Sequence, residues 1–181
     1  VYEGLREEHV VGLAGAREEE LPYNNIIAYD THAAVLHYQH LDRSRPRSAR
    51  SFLIDAGAQF AGYCSDITRS YAAADGEFQA LIAALDTAQQ ALADRVRPGT
   101  DYREIHLAAH RAIAGILVEH GIVGGTPDAA FATGLTSVFF PHGIGHLLGL
   151  QVHDVGGFMA GPQGGTRPRP DGHAYLRLTR D

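Results

Sequence analysis

The chain has 181 residues, 45% hydrophobic and 20% charged, which is the composition of a folded polypeptide with a real core rather than of a disordered one. A formal net charge of -6 argues against nucleic acid or an anionic membrane surface as partner, and no apolar run is long enough to cross a bilayer. The single cysteine, Cys64, excludes an internal disulfide and points to a reducing, cytoplasmic setting, while the absence of lysine among the fifteen basic residues excludes a lysine nucleophile.

Residues 2–14 alternate charged and apolar positions (Leu5, Val10, Leu13) as an amphipathic helix does, and Pro22 ends that pattern. No signal-peptide pattern is seen over residues 1–20. Asn24–Tyr29 and Ala33–Tyr38 are short β-rich runs around Asp30-Thr31-His32, which predicts a hairpin. Asp42–Arg50 reads as a solvated, Arg-rich connection. Ser51–Ala56 predicts a buried strand, Gly57–Gly62 a turn, and Tyr63–Tyr71 a returning strand. Gly76–Arg95 predicts an Ala/Leu-rich helix, broken by Pro98-Gly99. Asp101 followed by Glu104 predicts the start of a second helix, with Gly121 as its stop. On that helix Ile105, Ala109, Ile113 and Ile116 form the expected buried stripe, and His106 and His110 are read as structural or solvated. Gly124–Gly134 and Ala160–Asp171 read as loops, and Ala174–Thr179 as the beginning of a strand. Helix, meander, two helices and more strands predict an α+β fold, an antiparallel curved sheet with helices on one face. The chain begins at Val1 rather than Met and is read as a fragment.

One stretch stands out. Phe139-Phe140-Pro141-His142-Gly143-Ile144-Gly145-His146, running on into Leu150-Gln151-Val152-His153-Asp154, places three histidines and an aspartate among glycines that let backbone approach a ligand. Imidazole serves both as metal ligand and as proton carrier near neutral pH. Partners for it lie in Ile54-Asp55-Ala56-Gly57 and Ser65-Asp66-Ile67-Thr68-Arg69. In a hairpin centred near Phe60, Asp55 and Asp66 face each other across neighbouring strands. Two carboxylates so close repel, and one takes a proton unless a cation lies between them. Read singly, Asp55 is better taken as a turn cap and Asp66 as a surface strand residue. Read with His146, they form an oxygen-and-imidazole site suited to Mn, Fe, Co or Zn.

In their order, the Asp55, Asp66, His142–His146 and Val152–Gly156 blocks resemble the metallopeptidases of the pita-bread fold, and among these the Xaa-Pro dipeptidases; Leu36-His37-Tyr38 fits too. The resemblance covers essentially the whole chain. It implies a partial C-terminal catalytic domain over residues 1–181, with an N-terminal domain and the rest of the catalytic domain outside it. It implies two divalent metal ions, Mn first with Co, Zn or Fe as alternatives, held by two Asp, one His and two Glu. Asp55, Asp66 and His146 would be three of these ligands, Asp66 bridging both metals, and the two Glu are expected beyond residue 181. His153 would stabilise the scissile carbonyl or tetrahedral intermediate, with His142 a supporting catalytic neighbour. His37 and Arg177 would grip the substrate's C-terminal carboxylate. The implied reaction is hydrolysis of Xaa-Pro dipeptides by a metal-bridging hydroxide, in a cytoplasmic homodimer with no nucleic-acid or membrane partner. The 181 residues alone are expected to be inactive. The alternatives are an aminopeptidase P acting on longer peptides and a non-catalytic binding protein of the same fold.

Overall fold

The computed structural model describes residues 21–40, 44, 46–154 and 159–168. The predicted helix over residues 2–14, the strand over 174–179 and the substrate-binding candidate Arg177 lie outside the described residues. The described residues divide into two compact units, 21–74 with 147–154 and 75–146 with 159–168. Among them no helix is long and apolar enough to cross a membrane.

The first unit is an antiparallel sheet. Strands β1 (Ile26–Tyr29), β2 (Ser51–Ala56) and β5 (Ile67–Ala72) lie in the order β1-β2-β5, and β3 (Gln59–Phe60) pairs with β4 (Tyr63–Cys64). Tyr29 pairs with Phe52 and Phe52 with Tyr71, so three aromatic rings line one face, with centroids 5.3 and 6.0 Å apart. Such cross-strand pairs are the unit of sheet stabilisation. The opposite face carries Ile26 and Ala28, both buried, and Asp55, which pairs with Ile26.

The predicted hairpin over residues 24–38 does not form. β1 pairs with β2 instead, and the chain after Tyr29 turns into a short 3-10 helix, Asp30–Ala34. Asp30 explains the switch. It adopts a left-handed φ of 49°, and its carboxylate accepts hydrogen bonds from the Arg50 and Ser51 amides at 2.8 and 2.9 Å. Those bonds hold its carboxyl below its ordinary pKa and fix the entry of β2 beside β1. His37 accordingly lies on an exposed turn, with φ of 54°, and not on a strand.

The predicted register of the second hairpin is also corrected. Its turn is Ala61-Gly62, with φ of 51° and 87°, so both central residues are left-handed, as a two-residue primed turn requires. That centre puts Asp55 opposite Thr68, and the same register carried one pair beyond Ala56 and Ile67 puts Gly57 opposite Asp66. The two carboxylates therefore do not face each other directly. The return strand is also broken at Ser65, whose hydroxyl accepts from the Ala58 amide at 2.9 Å.

The second unit is helical. Helices α1 (Glu77–Ala93) and α2 (Tyr102–Glu119) are followed by short α3 (Pro127–Ala132) and α4 (Thr136–Phe139). The short helix α3 thus occupies part of the predicted Gly124–Gly134 loop; the Thr126 hydroxyl caps it by accepting from the Ala129 amide, and Pro127 sits where a missing N–H costs nothing. The Asp101 side chain caps α2 by accepting from the Arg103 amide at 2.9 Å. At its other end Gly121, with φ of 66°, donates to Val118, and Ile122 donates to Leu117, a Schellman stop. Ile105, Ala109 and Ile116 are buried as expected. His106 and His110 are buried too, so they are structural and not solvated.

Candidate metal centre

The acidic half of the site grows out of β2 and the segment between β4 and β5. Asp55 sits on β2, on the sheet face that carries Ile26 and Ala28, and Asp66 follows the break at Ser65. The two meet through a third residue. The Tyr23 hydroxyl lies 2.6 Å from Asp55 Oδ1 and 3.0 Å from Asp66 Oδ1. One O–H proton can serve only one acceptor at a time, so the two acids share this donor. Burial raises the Asp55 carboxyl above its ordinary pKa and the Asp66 carboxylate raises it further, while the Tyr23 hydrogen bond opposes them. Tyr23 itself is raised, first by burial and then by both aspartates. Two carboxylate oxygens that converge on one atom, with their negative charges pressed together in a half-buried site, are disposed to converge on a cation.

Glycine makes this convergence sterically possible. A Cβ on Gly57 would overlap the Ser65 carbonyl oxygen and lie 2.7 Å from the Tyr23 ring and 2.8 Å from Pro22. Gly57 thus lets Tyr23 lie against the hairpin within reach of both acids.

The histidine end of the first unit is the loop Leu147–Asp154. Its main chain is tied to β4 where the Cys64 amide donates to the Gly149 carbonyl at 2.8 Å. It is closed on itself by the Asp154 amide donating to Leu147 and the Leu150 amide donating to Asp154 Oδ2. A side chain at Gly149 would overlap the Asp154 carboxylate. The result brings a ligand atom of His153 within 4.8 Å of one on Asp66. Carboxylate and imidazole at that range form a donor set for a first-row divalent cation.

Of the residues singled out in the sequence, the first unit therefore gathers Asp55, Asp66 and His153. His37 is on the exposed turn after β1. His142, exposed, and His146, half-buried, lie in the second unit, following α4. Tyr23 was not anticipated. It stands 32 and 43 residues from its two partners, and no spacing rule connects a tyrosine after a proline to either acid.

The chain matches the model of metallopeptidase family M24 over residues 2–174. Over 167 residues it is 59% identical to the Xaa-Pro dipeptidase of Xanthomonas campestris pv. campestris (strain B100), covering 92% of this chain and 38% of that protein. It is 56% identical to the Xaa-Pro dipeptidase of Stenotrophomonas maltophilia (strain K279a) over the same shares. The chain thus spans 38% of the length of these curated relatives. Among solved structures, it is similar to Pseudomonas aeruginosa aminopeptidase PepP, with a TM-score of 0.77 and 32% identity over 92% of this chain and 37% of that one. The low-pH form of E. coli aminopeptidase P gives 0.76 and 31% over 87% and 36%. The α+β, pita-bread architecture expected from the sequence is borne out by these likenesses.

Proposed function

The chain belongs to metallopeptidase family M24, and from that membership we propose that the protein carrying it is a metal-dependent Xaa-Pro dipeptidase that releases C-terminal proline. The observation that carries the reading is the convergence of Asp55 and Asp66 on one hydroxyl, with His153 beside Asp66. The likeness to proteins named Xaa-Pro dipeptidase supports the substrate class.

In this reading, which the family membership supports, Asp55, Asp66 and His146 would be ligands to divalent metal, Asp66 being the one that would serve two ions; Mn is the first candidate and Co, Zn and Fe follow. When bound, the cations supply Lewis acidity and a nucleophile usable at neutral pH. Tyr23 orients the two acids by its hydrogen bond. His153 donates to the scissile carbonyl oxygen as charge develops there. His142 supports the loop that carries His146. A peptide bond to proline has no N–H, so recognition rests on ring shape and on the free carboxylate, which His37 and Arg177 take. Residues 1–181 belong to the catalytic domain in this reading, the protein is a cytoplasmic homodimer, and the 181 residues alone are inactive because two Glu ligands lie outside them.

The test is Gly-Pro hydrolysis by the protein that carries this chain, before and after chelation and on return of Mn(II). Loss on chelation and recovery on Mn(II) are expected. Unchanged hydrolysis after chelation would overturn the metal mechanism. Faster cleavage of a Xaa-Pro-Yaa tripeptide than of Gly-Pro would replace the dipeptidase by an aminopeptidase of the same chemistry.

A further inference from the structure

One face of α2 carries three residues at helical spacing, Tyr102, His106 and His110. Each touches the segment that leads to His146. His110 Nδ1 lies 2.8 Å from the Thr136 hydroxyl, and His110 Nε2 lies 3.1 Å from His106 Nε2. Both imidazoles pack against the Phe140 ring, with centroids at 5.7 and 5.2 Å. Four residues after Pro141, a Cβ on Gly145 would lie 2.7 Å from the Tyr102 hydroxyl. His106 and Thr136 are 0% and 1% exposed. All of this lies within the helical unit.

Polar side chains on the buried face of a helix are costly unless hydrogen-bonded. Leucine at both histidines would fill the same space without that cost. Here His106 Nε2, both His110 ring nitrogens and the Thr136 hydroxyl are spent on a directional chain. Each neutral imidazole has one N–H, so of the two facing Nε2 atoms one donates and the other accepts. The choice fixes whether His110 Nδ1 donates to or accepts from Thr136. The chain then sets the position of Thr136, the first residue of α4, whose carbonyl accepts the Phe140 amide at 2.8 Å.

We propose that the Tyr102–His106–His110 face is a template that positions the His142–His146 loop through Thr136, Phe140 and Gly145, and so sets the metal affinity of His146. Tyr102, His106, His110 and Thr136 are positioning residues in this assignment. It rests on His146 as a metal ligand, as proposed above.

The experiment is calorimetric titration of Mn(II) into the chelated protein that carries this chain, with far-UV circular dichroism as the check on folding. Thr136→Val keeps shape and removes the hydroxyl. It is expected to weaken binding roughly tenfold, with the dichroism unchanged, and Thr136→Ser is expected to restore it. Gly145→Ala is expected to weaken binding, and Tyr102→Phe in the same protein to recover most of the loss by removing the oxygen that the new methyl meets. If Thr136→Val does not fold, the Gly145 and Tyr102 pair decides the matter alone. Wild-type affinity in folded Thr136→Val and in Gly145→Ala, with binding lost in His146→Ala, would overturn the template and leave the metal site standing. Undiminished binding in His146→Ala would remove the site assignment and the template together.

Discussion

Gly57 packs so closely beneath Ser65 that any Cβ on it would overlap the Ser65 backbone carbonyl oxygen. That carbonyl cannot swing aside as a side chain can, because it belongs to the residue that joins β4 to β5. Gly57→Ala is therefore expected to destabilise the protein by about 1–3 kcal/mol, the usual cost of overpacking, and to move Tyr23 away from Asp55 and Asp66. Urea denaturation gives the first quantity and Mn(II) titration the second. Wild-type values in both would show that the hairpin accommodates a methyl at this position.

Tyr23→Phe isolates the hydroxyl. The ring stays and the 2.6 and 3.0 Å contacts go. Loss of a partner that orients metal ligands typically costs about 10–100-fold in affinity. A weakening at the lower end of that range is expected, because the hydroxyl has one proton to share between two acids. Equal affinity in Tyr23→Phe and wild type would make Tyr23 a packing residue only.

Asp66→Asn preserves size and removes charge. If Asp66 is the shared ligand, Gly-Pro hydrolysis is expected to vanish while the dichroism and the urea midpoint stay near wild type. Normal rates in this variant would contradict the bridging role.

His110 supplies a stability signature with a definite sign. Burial holds its imidazole below the ordinary value. The unfolded chain then takes up the proton first as pH falls. The contribution is complete above the unfolded pKa of about 6.5 and is lost as pH falls through the folded-state value. Urea midpoints collected from neutral pH downward are expected to decline below that point, with a slope of at most about 1.4 kcal/mol per pH unit for one proton. His110→Gln is expected to decline less steeply. Parallel curves for the two proteins would assign the acid sensitivity to other groups.

The helices were the most legible part of the chain, because their signals are local. Asp101 and Gly121 bracket α2, and Ile105, Ala109 and Ile116 of its apolar stripe are buried, with Ile113 half-buried. The acids of the candidate site were legible for a related reason, since a turn between two strands brings Asp55 and Asp66 into one neighbourhood whatever its details. The details were not legible. The left-handed pair Ala61-Gly62 moves the hairpin centre by one residue, so that Asp55 meets Thr68, two residues past Asp66, and an Ala-Gly turn carries no strong type signature. The hairpin after Tyr29 failed because the Asp30 carboxylate finds amides twenty and twenty-one residues away, a contact no local pattern announces. His106 and His110 carry no local sign of their contacts for the same reason, since Thr136 and Phe140 come from a distant stretch.

The Cys64 amide and the Gly149 carbonyl join main chain to main chain. A bond of that kind is indifferent to the side chains on either side of it. Leu148 and Leu150, at 46% and 62% exposure, flank it without supplying it. Homologues should therefore drift freely at 148 and 150 while keeping glycine at 149 and aspartate at 154. The loop that delivers His153 would be variable in its chemistry and constant in its path.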